Sequence, residues 1–327
     1  MVTNGSAPLE VRLIGGSVTA LSATVGLLAN LVLIAVSIKN FSNFRKSPFF
    51  LITWQMLVGD LMVIFAQLTV YANAAAFPYA MTMLDSCGYL CSMFFALLLI
   101  LNRFFIFCAP KANGFFFGRR SALVTISVTW AFILIRVCYT TLAGCVKLFV
   151  PERLHFRPSC RGAGDLPRAI SRYGMYESYV LPGAMFILYI AVLAKIRYEF
   201  RTISTTLQFT TKNKKAKMEI RLLIQSIVIC GMLQVEALSF AFLPKIPIQP
   251  TGRLYLNLLK GLIGIVNSTT HPVVLFVFNT DVRQALKSFF KKSISVQNIS
   301  VTHSLSTRRE LWKKVMGARR GTLLSVC

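Results

Sequence analysis

Acidic residues are scarce in this sequence. Asp and Glu account for only 11 of the 327 residues, against 36 Lys and Arg, and the formal net charge is +25 at pH 7. Common enzyme motifs are also missing, since the chain has no Gly-rich phosphate loop, no His-Glu-x-x-His zinc motif and no nucleophile elbow, and its three histidines lie far apart. We therefore expect that the protein is not an enzyme and binds no cofactor.

The positive charge does not by itself indicate nucleic acid. Zinc-finger, RNP and homeodomain patterns are absent, and the basic residues are spread over several loops instead of forming one patch. Basic loops of this kind are typical of membrane proteins, in which they lie against anionic lipid. We expect membrane lipid, and no nucleic acid, among the partners.

Apolar residues are abundant. They make up 55% of the chain, and the mean hydropathy is +0.62. They fall into seven long runs. Each run is about as long as the ~20-residue helix that crosses about 30 Å of hydrocarbon. These runs lie roughly at residues 14 to 38, 48 to 71, 79 to 107, 121 to 144, 173 to 198, 218 to 243 and 255 to 279.

Runs of this length without period-two alternation must be helices, because lipid offers the backbone no hydrogen-bond partner. The sequence therefore predicts an all-α membrane protein, a seven-transmembrane helix bundle with a short interfacial eighth helix. We expect an extracellular N-terminus at residues 1–13, the bundle with its amphipathic helix 8 at 14–292, and a disordered cytoplasmic tail at 293–327.

Loop composition predicts the orientation. Most Lys and Arg lie in the loops of one side, which the positive-inside rule assigns to the cytoplasm. The N-terminus is then outside, where Asn4 begins a glycosylation sequon. In the second outer loop, Cys145 and Cys160 favour a disulfide in an oxidising compartment, with Cys87 as the competing partner for Cys160.

Polar residues inside the spans are costly in lipid and normally face the bundle interior. They recur about once per helix, in the motifs "LLAN" ending at Asn30, "LVGD" ending at Asp60, "LNRF" with Asn102 and Arg103, and "HPVVLFVFN" starting at His271. In order and depth these motifs resemble those of a rhodopsin-like G-protein-coupled receptor.

Three further stretches narrow the resemblance. "LNRFF", "KMEIRLLIQSIVICGMLQVEALSF" and "HPVVLFVFN" are most similar to the nematode serpentine chemoreceptors of class x. The chain departs from the wider rhodopsin-like pattern where Asn102 replaces an acid and His271 replaces an asparagine.

The resemblance implies roles for two groups of residues. Asn102 and Arg103 would form the G-protein coupling switch, although an ordinary interfacial arginine is the alternative. A core polar network would hold a sodium ion or waters, or act as a structural clamp between helices. Its expected members are Asn30, Asp60, Asn267, Ser268, His271 and Pro272.

Ligand contacts are expected in the outer third of the bundle. Counting about 1.5 Å per residue from the inner ends places Asp85 and Glu236 in that layer. Aromatic and charged neighbours at similar depth would complete the pocket, whose expected residues are Asp85, Tyr176, Glu177, Glu236, Asn257 and Lys260. A structural salt bridge between Glu236 and Lys260 is the alternative for that pair.

The resemblance implies a chemosensory receptor that binds a small external ligand and activates a heterotrimeric G protein. Its expected location is the plasma membrane, as a multi-pass protein, and sensory neuron cilia. Serines and threonines in the tail would let kinases recruit an arrestin-like protein, and a solvated tail without such a role is the alternative. The alternative function is a polytopic transporter or ligand-gated channel, which internal repeats or paired broken helices would favour.

Overall fold

Seven long helices make up most of the protein. The computed structural model describes residues 9–40, 47–71, 78–150, 155–160, 162–203 and 211–289. Each long helix contains an apolar stretch long enough to cross a membrane. The helices are α1 Leu9–Lys39, α2 Pro48–Tyr71, α3 Pro78–Cys108, α4 Arg119–Leu142, α5 Asp165–Ile203, α6 Thr211–Phe242 and α7 Pro250–Phe278. The predicted seven-transmembrane bundle is confirmed.

Several helices are longer than hydropathy predicted. The fifth run was expected at residues 173 to 198, and α5 spans Asp165–Ile203. The sixth was expected from residue 218, and α6 already begins at Thr211. Hydropathy locates only the part of a helix that lies in hydrocarbon, while polar residues such as Lys and Arg have good helix propensity and continue the helix into water.

Smaller elements were not predicted. A short helix, Pro110–Phe116, precedes α4, and a single 3-10 turn, Leu243–Lys245, follows α6. The second outer loop contains an antiparallel hairpin of β1 (Val146–Val150) and β2 (His155–Ser159), paired from Val146↔Ser159 to Val150↔His155. Residues 280–289 form a further helix, α8, at the place expected for the eighth helix.

Helix α3 is the central element of the bundle. It packs against α2, α4, α5 and α6, while α7 packs against α1, α2 and α6. The closest helix pair is α2 and α3, where two glycines face each other. A Cβ atom on Gly88 would lie 2.6 Å from the carbonyl oxygen of Gly59. A larger residue at position 88 would therefore push α2 and α3 apart.

The outward faces of the helices are apolar. Leu21, Val25 and Leu28 of α1 are exposed, as are Val128 and Ile135 of α4. A water-soluble protein rarely exposes continuous apolar surface of this extent. The buried side chains include many polar ones, so the bundle has an apolar exterior and a partly polar interior, as expected for a protein in lipid.

The turn after α4 fixes the start of the hairpin. Gly144 has φ of 84°, which favours glycine. The amide of Cys145 donates to the carbonyl of Thr140 at 2.9 Å, and that of Gly144 donates to Thr141 at 3.1 Å, which is a Schellman cap. Cys145 forms a disulfide with Cys160, which extends the register of the hairpin by one pair.

Candidate functional site: a buried polar axis through the bundle

Arg103 is buried at the inner end of α3. Its exposed fraction is only 2%, whereas an ordinary interfacial arginine would extend its side chain to water. The guanidinium carbon lies 4.6 Å from the centroid of the Phe49 ring at the start of α2. Asn102, the other residue of the expected switch, is buried as well. The interior location does not match an ordinary interfacial arginine, and the switch role stays a prediction.

Helices α5 and α6 are linked close to Arg103. Tyr189 of α5 is buried and lies within electrostatic range of Arg103. Its hydroxyl group lies 3.3 Å from the Sγ atom of Cys230 and also hydrogen-bonds with Ser226, both on α6. A movement of α6 away from α5 would break these contacts.

Asp60 of α2 and His271 of α7 meet in the middle of the bundle. Asp60 Oδ2 lies 3.0 Å from His271 Nδ1, and Asp60 Oδ1 accepts a hydrogen bond from Ser92 of α3 at 3.1 Å. A sodium ion would need these same oxygens, and a ring N–H directed at Oδ2 would face the cation. These residues therefore fit a hydrogen-bonded clamp between three helices better than a cation site.

Pro272 explains the position of Asn30. A proline inside a helix has no N–H, so the carbonyl four residues earlier, that of Ser268, lacks its helical donor. The Nδ2 group of Asn30 donates to this carbonyl at 3.2 Å and to that of Gly26 at 2.8 Å. Asn30 thus joins α1 to the proline site of α7 through the backbone carbonyl of Ser268.

Asn267 does not take its expected place. The sequence grouped it with Asp60, but its Nδ2 donates to Glu236 Oε2 of α6 at 2.7 Å. Asn267 and His271 are four residues apart, and one helical turn raises Asn267 into the outer layer. The residue opposite Glu236 is Gly264, on which a Cβ atom would lie 3.2 Å from Glu236 Oε1, so the missing side chain lets the carboxylate approach α7.

The outer layer contains two ion pairs that the sequence did not predict. Lys147 of β1 reaches Asp85 of α3, with 3.2 Å between Nζ and Oδ2, and Gln67 of α2 donates to Asp85 Oδ1 at 3.4 Å. Arg136 of α4 forms an ion pair with Glu177 of α5. The guanidinium of Arg136 lies close to Gly174, where a Cβ atom would be 2.6 Å from it, so a larger residue there would require the Arg136 side chain to shift.

Tyr176 is a correction to the predicted pocket. Its exposed fraction is 62%, whereas its neighbour Glu177 is buried. Successive helical residues point about 100° apart, so Tyr176 and Glu177 occupy different parts of the α5 surface, and the rotation of α5 directs Glu177 inward. Tyr176 therefore lies outside the buried polar layer. The ion pair of Glu177 with Arg136 distinguishes the two residues, and hydropathy alone does not predict such a pair.

The remaining predicted residues are placed as follows. Asn257 is buried on α7, and Lys260 is partly buried there. Among the ion pairs of the described residues, none joins Lys260 to Glu236, so that alternative is wrong. Cys87 is a buried free thiol and does not compete for Cys160. Asn4 and the tail lie outside the described residues.

Two contacts of the inner half were missed by sequence reasoning. Trp130 Nε1 of α4 donates to Gln55 Oε1 of α2 at 2.8 Å, and Phe49 covers Arg103. Gln55 and Phe49 lie on α2, and their facing partners come from other helices. A single sequence contains no signal for such pairs beyond the helix periodicity.

Comparison with known proteins decides the family. The family model described as the serpentine type 7TM GPCR chemoreceptor Srx matches residues 21–253, which is more than half of the chain. The chain belongs to this family. A search of the curated proteins gives no match.

The Srx chemoreceptor is thus a multi-pass membrane protein of a receptor class that is not enzymatic. The matched region includes Asp60, Arg103 and Glu236. It ends before most of α7, so the Asp60 to His271 contact joins a residue inside the match to one outside it. The seven-helix prediction and the class x resemblance are both confirmed.

Proposed function

We propose that this Srx chemoreceptor binds a small external molecule in the outer layer and activates a heterotrimeric G protein at its inner end. The observation that supports it most is the buried Arg103, which contacts Phe49 of α2 and interacts electrostatically with Tyr189, the residue that links α5 to α6. A partner helix that enters this end must displace α6 and gains the guanidinium as a hydrogen-bond donor.

The ligand site is proposed around Asp85, Glu177 and Glu236, with Asn257 and Lys260 at its edge. Asp85 and Glu177 each have a basic partner, whereas the hydrogen-bond partner of Glu236 is a neutral amide. Lys147 joins the layer from the hairpin and lies 5.6 Å from the centroid of the Tyr89 ring, so a ligand that enters from outside meets it early. Ligands that contact this layer would alter contacts of α3, α5, α6 and α7 together.

A transmitted signal has a short path in this architecture. Glu236 bonds to Asn267, and one turn below it His271 bonds to Asp60. Asp60 also contacts Ser92 of α3, the helix that bears Arg103. A ligand that shifts α6 or α7 at the outer layer therefore acts on elements that reach the inner end.

Location and regulation complete the proposal. The N-terminus lies outside the plasma membrane, with Asn4 glycosylated, and the inner loops and α8 lie against anionic lipid. Kinases phosphorylate the tail at 293–327 and recruit an arrestin-like protein. The expected cells are nematode sensory neurons, where the receptor would be found in the cilia.

The ligand half is tested by the response to a panel of odorants in cells with matched surface expression. Glu236→Gln keeps the shape and replaces the carboxyl group by an amide, so it should shift the half-maximal concentration of at least one active compound about tenfold or more. Tyr176→Phe is the control and should leave the response unchanged. Equal responses in both variants and the wild type would contradict the proposed pocket, and an ion current or solute flux would favour a channel or transporter.

A further inference from the structure

Arg103 is not held by an acidic side chain at the neighbouring position of its own helix. The neighbouring position on α3 is Asn102, a neutral amide. Arg103 is nevertheless among the largest fully buried side chains of the described residues. A buried guanidinium is costly unless its surroundings stabilise the positive charge, so some group close to it must do so.

The aromatic ring of Phe49 supplies such a group. The guanidinium carbon is 4.6 Å from the ring centroid, inside the range of a cation–π interaction. Phe49 is 3% exposed and Arg103 is 2% exposed, so water does not screen the contact. Cation–π interactions are stronger when both partners are removed from water.

The start of α2 holds the ring in this position. Pro48 is the first residue of the helix, where its fixed φ favours helix initiation, and the amide of Leu51 donates to the carbonyl of Ser47 at 3.2 Å. The Phe50 ring stands edge-on to Phe49, with 5.4 Å between the centroids. Phe49 therefore lies in the first turn of α2, between Phe50 and the guanidinium.

We propose that Phe49 is the positioning residue that retains Arg103 in the resting receptor. This inference rests on the proposed coupling role of Arg103. To reach a G protein, the guanidinium must leave the ring, so weakening this contact raises the basal activity. The neutral Asn102 is compatible with a quiet receptor because the restraint comes from α2.

The first experiment measures basal nucleotide exchange in membranes that contain the full-length receptor and a panel of heterotrimeric G proteins, normalised to surface receptor. Phe49→Leu removes the ring and should raise basal exchange about three- to tenfold, while Phe49→Tyr keeps a π face and should stay near the wild-type rate. Phe95→Leu is the control, since Phe95 is a buried α3 ring packed on Trp130. If Phe49→Leu does not reach the surface, Phe49→Met replaces it.

Arg103→Ala separates the two ways in which the idea can fail. Exchange that persists in Arg103→Ala would contradict the proposed coupling role. If exchange is lost in Arg103→Ala but basal exchange is the same in Phe49→Leu as in Phe95→Leu, the coupling role of Arg103 is supported and the role of Phe49 is overturned. An increase in Phe49→Leu that Phe49→Tyr does not share supports it.

A second measurement does not depend on any G protein. Cys230 is buried beside Tyr189, and Cys91 is buried between α2 and α3, where its Sγ lies 3.2 Å from the carbonyl oxygen of Gln55. In purified receptor, a membrane-permeable thiol reagent should label Cys230 about threefold faster or more in Phe49→Leu, with Cys91 unchanged, because released Arg103 permits α6 to open. Equal Cys230 labelling in the wild type and Phe49→Leu would overturn the inference.

Discussion

Asp60 and His271 are 211 residues apart in the sequence, and their side chains meet at 3.0 Å between Oδ2 and Nδ1. Both are almost completely buried, and Ser92 bonds to the other oxygen of Asp60. The contact connects α2, α3 and α7 in the middle of the bundle. Of the seventh-helix residues expected near Asp60, which were Asn267, Ser268 and His271, it is His271 that bonds to the carboxylate, while Asn267 bonds to Glu236.

We predict that Asp60 and His271 are energetically coupled. Asp60→Ala and His271→Ala should each lower stability by about 1 to 3 kcal/mol, because each leaves a buried polar group without its partner. The double variant should lose less than the sum. Thermal unfolding in lipid nanodiscs, followed by a thiol-reactive dye, measures the three differences.

The matched control pairs Asp60→Ala with Ser239→Ala. Ser239 is on α6 and bonds to its own helix, at the carbonyl of Val235. The two losses should add within about 0.5 kcal/mol. Additive losses for Asp60 and His271 as well would show that the buried contact contributes nothing specific.

The glycine contact of α2 and α3 gives a second prediction. Gly88→Ala should lower the melting temperature of the purified receptor, because its Cβ would lie 2.6 Å from a backbone oxygen that cannot turn aside. Overpacking of this kind costs about 1 to 3 kcal/mol. Gly183→Ala on α5, where a Cβ meets no atom within 4 Å, should leave the temperature unchanged or raise it.

The same substitution also tests the geometry of the site. Helix α2 bears Asp60 beside Gly59, and α3 bears Ser92 one turn beyond Gly88. Separation of the two helices should therefore weaken the response to ligand as well as stability. Gly88→Ala with wild-type stability would indicate that the helices approach less closely than the structure shows.

Gln225 gives a prediction about basal activity. It is completely buried on α6, and neither polar atom of its side chain has a hydrogen-bond partner among the described residues. An unsatisfied buried amide costs about 1 to 3 kcal/mol, which destabilises the closed arrangement of α6. Gln225→Met removes the two polar atoms at similar length, so it should raise the melting temperature and lower basal exchange.

The control for Gln225 is a glutamine whose amide is engaged. Gln55 accepts a hydrogen bond from Trp130 at 2.8 Å, so Gln55→Met should lower stability instead of raising it. Opposite signs for the two substitutions are expected from melting curves. A loss of stability in Gln225→Met would show that its amide has a favourable partner in the working receptor.

The number of membrane-spanning helices could be predicted from the sequence, because a helix that crosses lipid needs an apolar run of characteristic length. It also located Asp60, Arg103 and His271, since a polar residue in an apolar run must face the interior. It did not give the partners. Arg136 with Glu177 and Arg103 with Phe49 are contacts between helices, whose rotations depend on packing that no single run of residues specifies.

Tyr176 and Asn267 show the same limit in detail. Depth along a helix can be counted at about 1.5 Å per residue, and both residues were placed at a plausible depth. The direction in which each side chain points is set by the helix rotation. That rotation brought Glu177 inward in place of Tyr176, and it directed Asn267 to Glu236.

The most direct test of the proposed receptor function is a nucleotide-exchange assay with purified receptor and purified G protein. Wild-type receptor and Arg103→Ala, each in lipid nanodiscs and matched in amount and melting temperature, are mixed with a purified heterotrimeric G protein and a labelled non-hydrolysable GTP analogue. We predict that the wild type accelerates exchange and that Arg103→Ala reduces the rate to that of the G protein alone. Equal acceleration by both forms would contradict the assignment of Arg103 as the coupling switch.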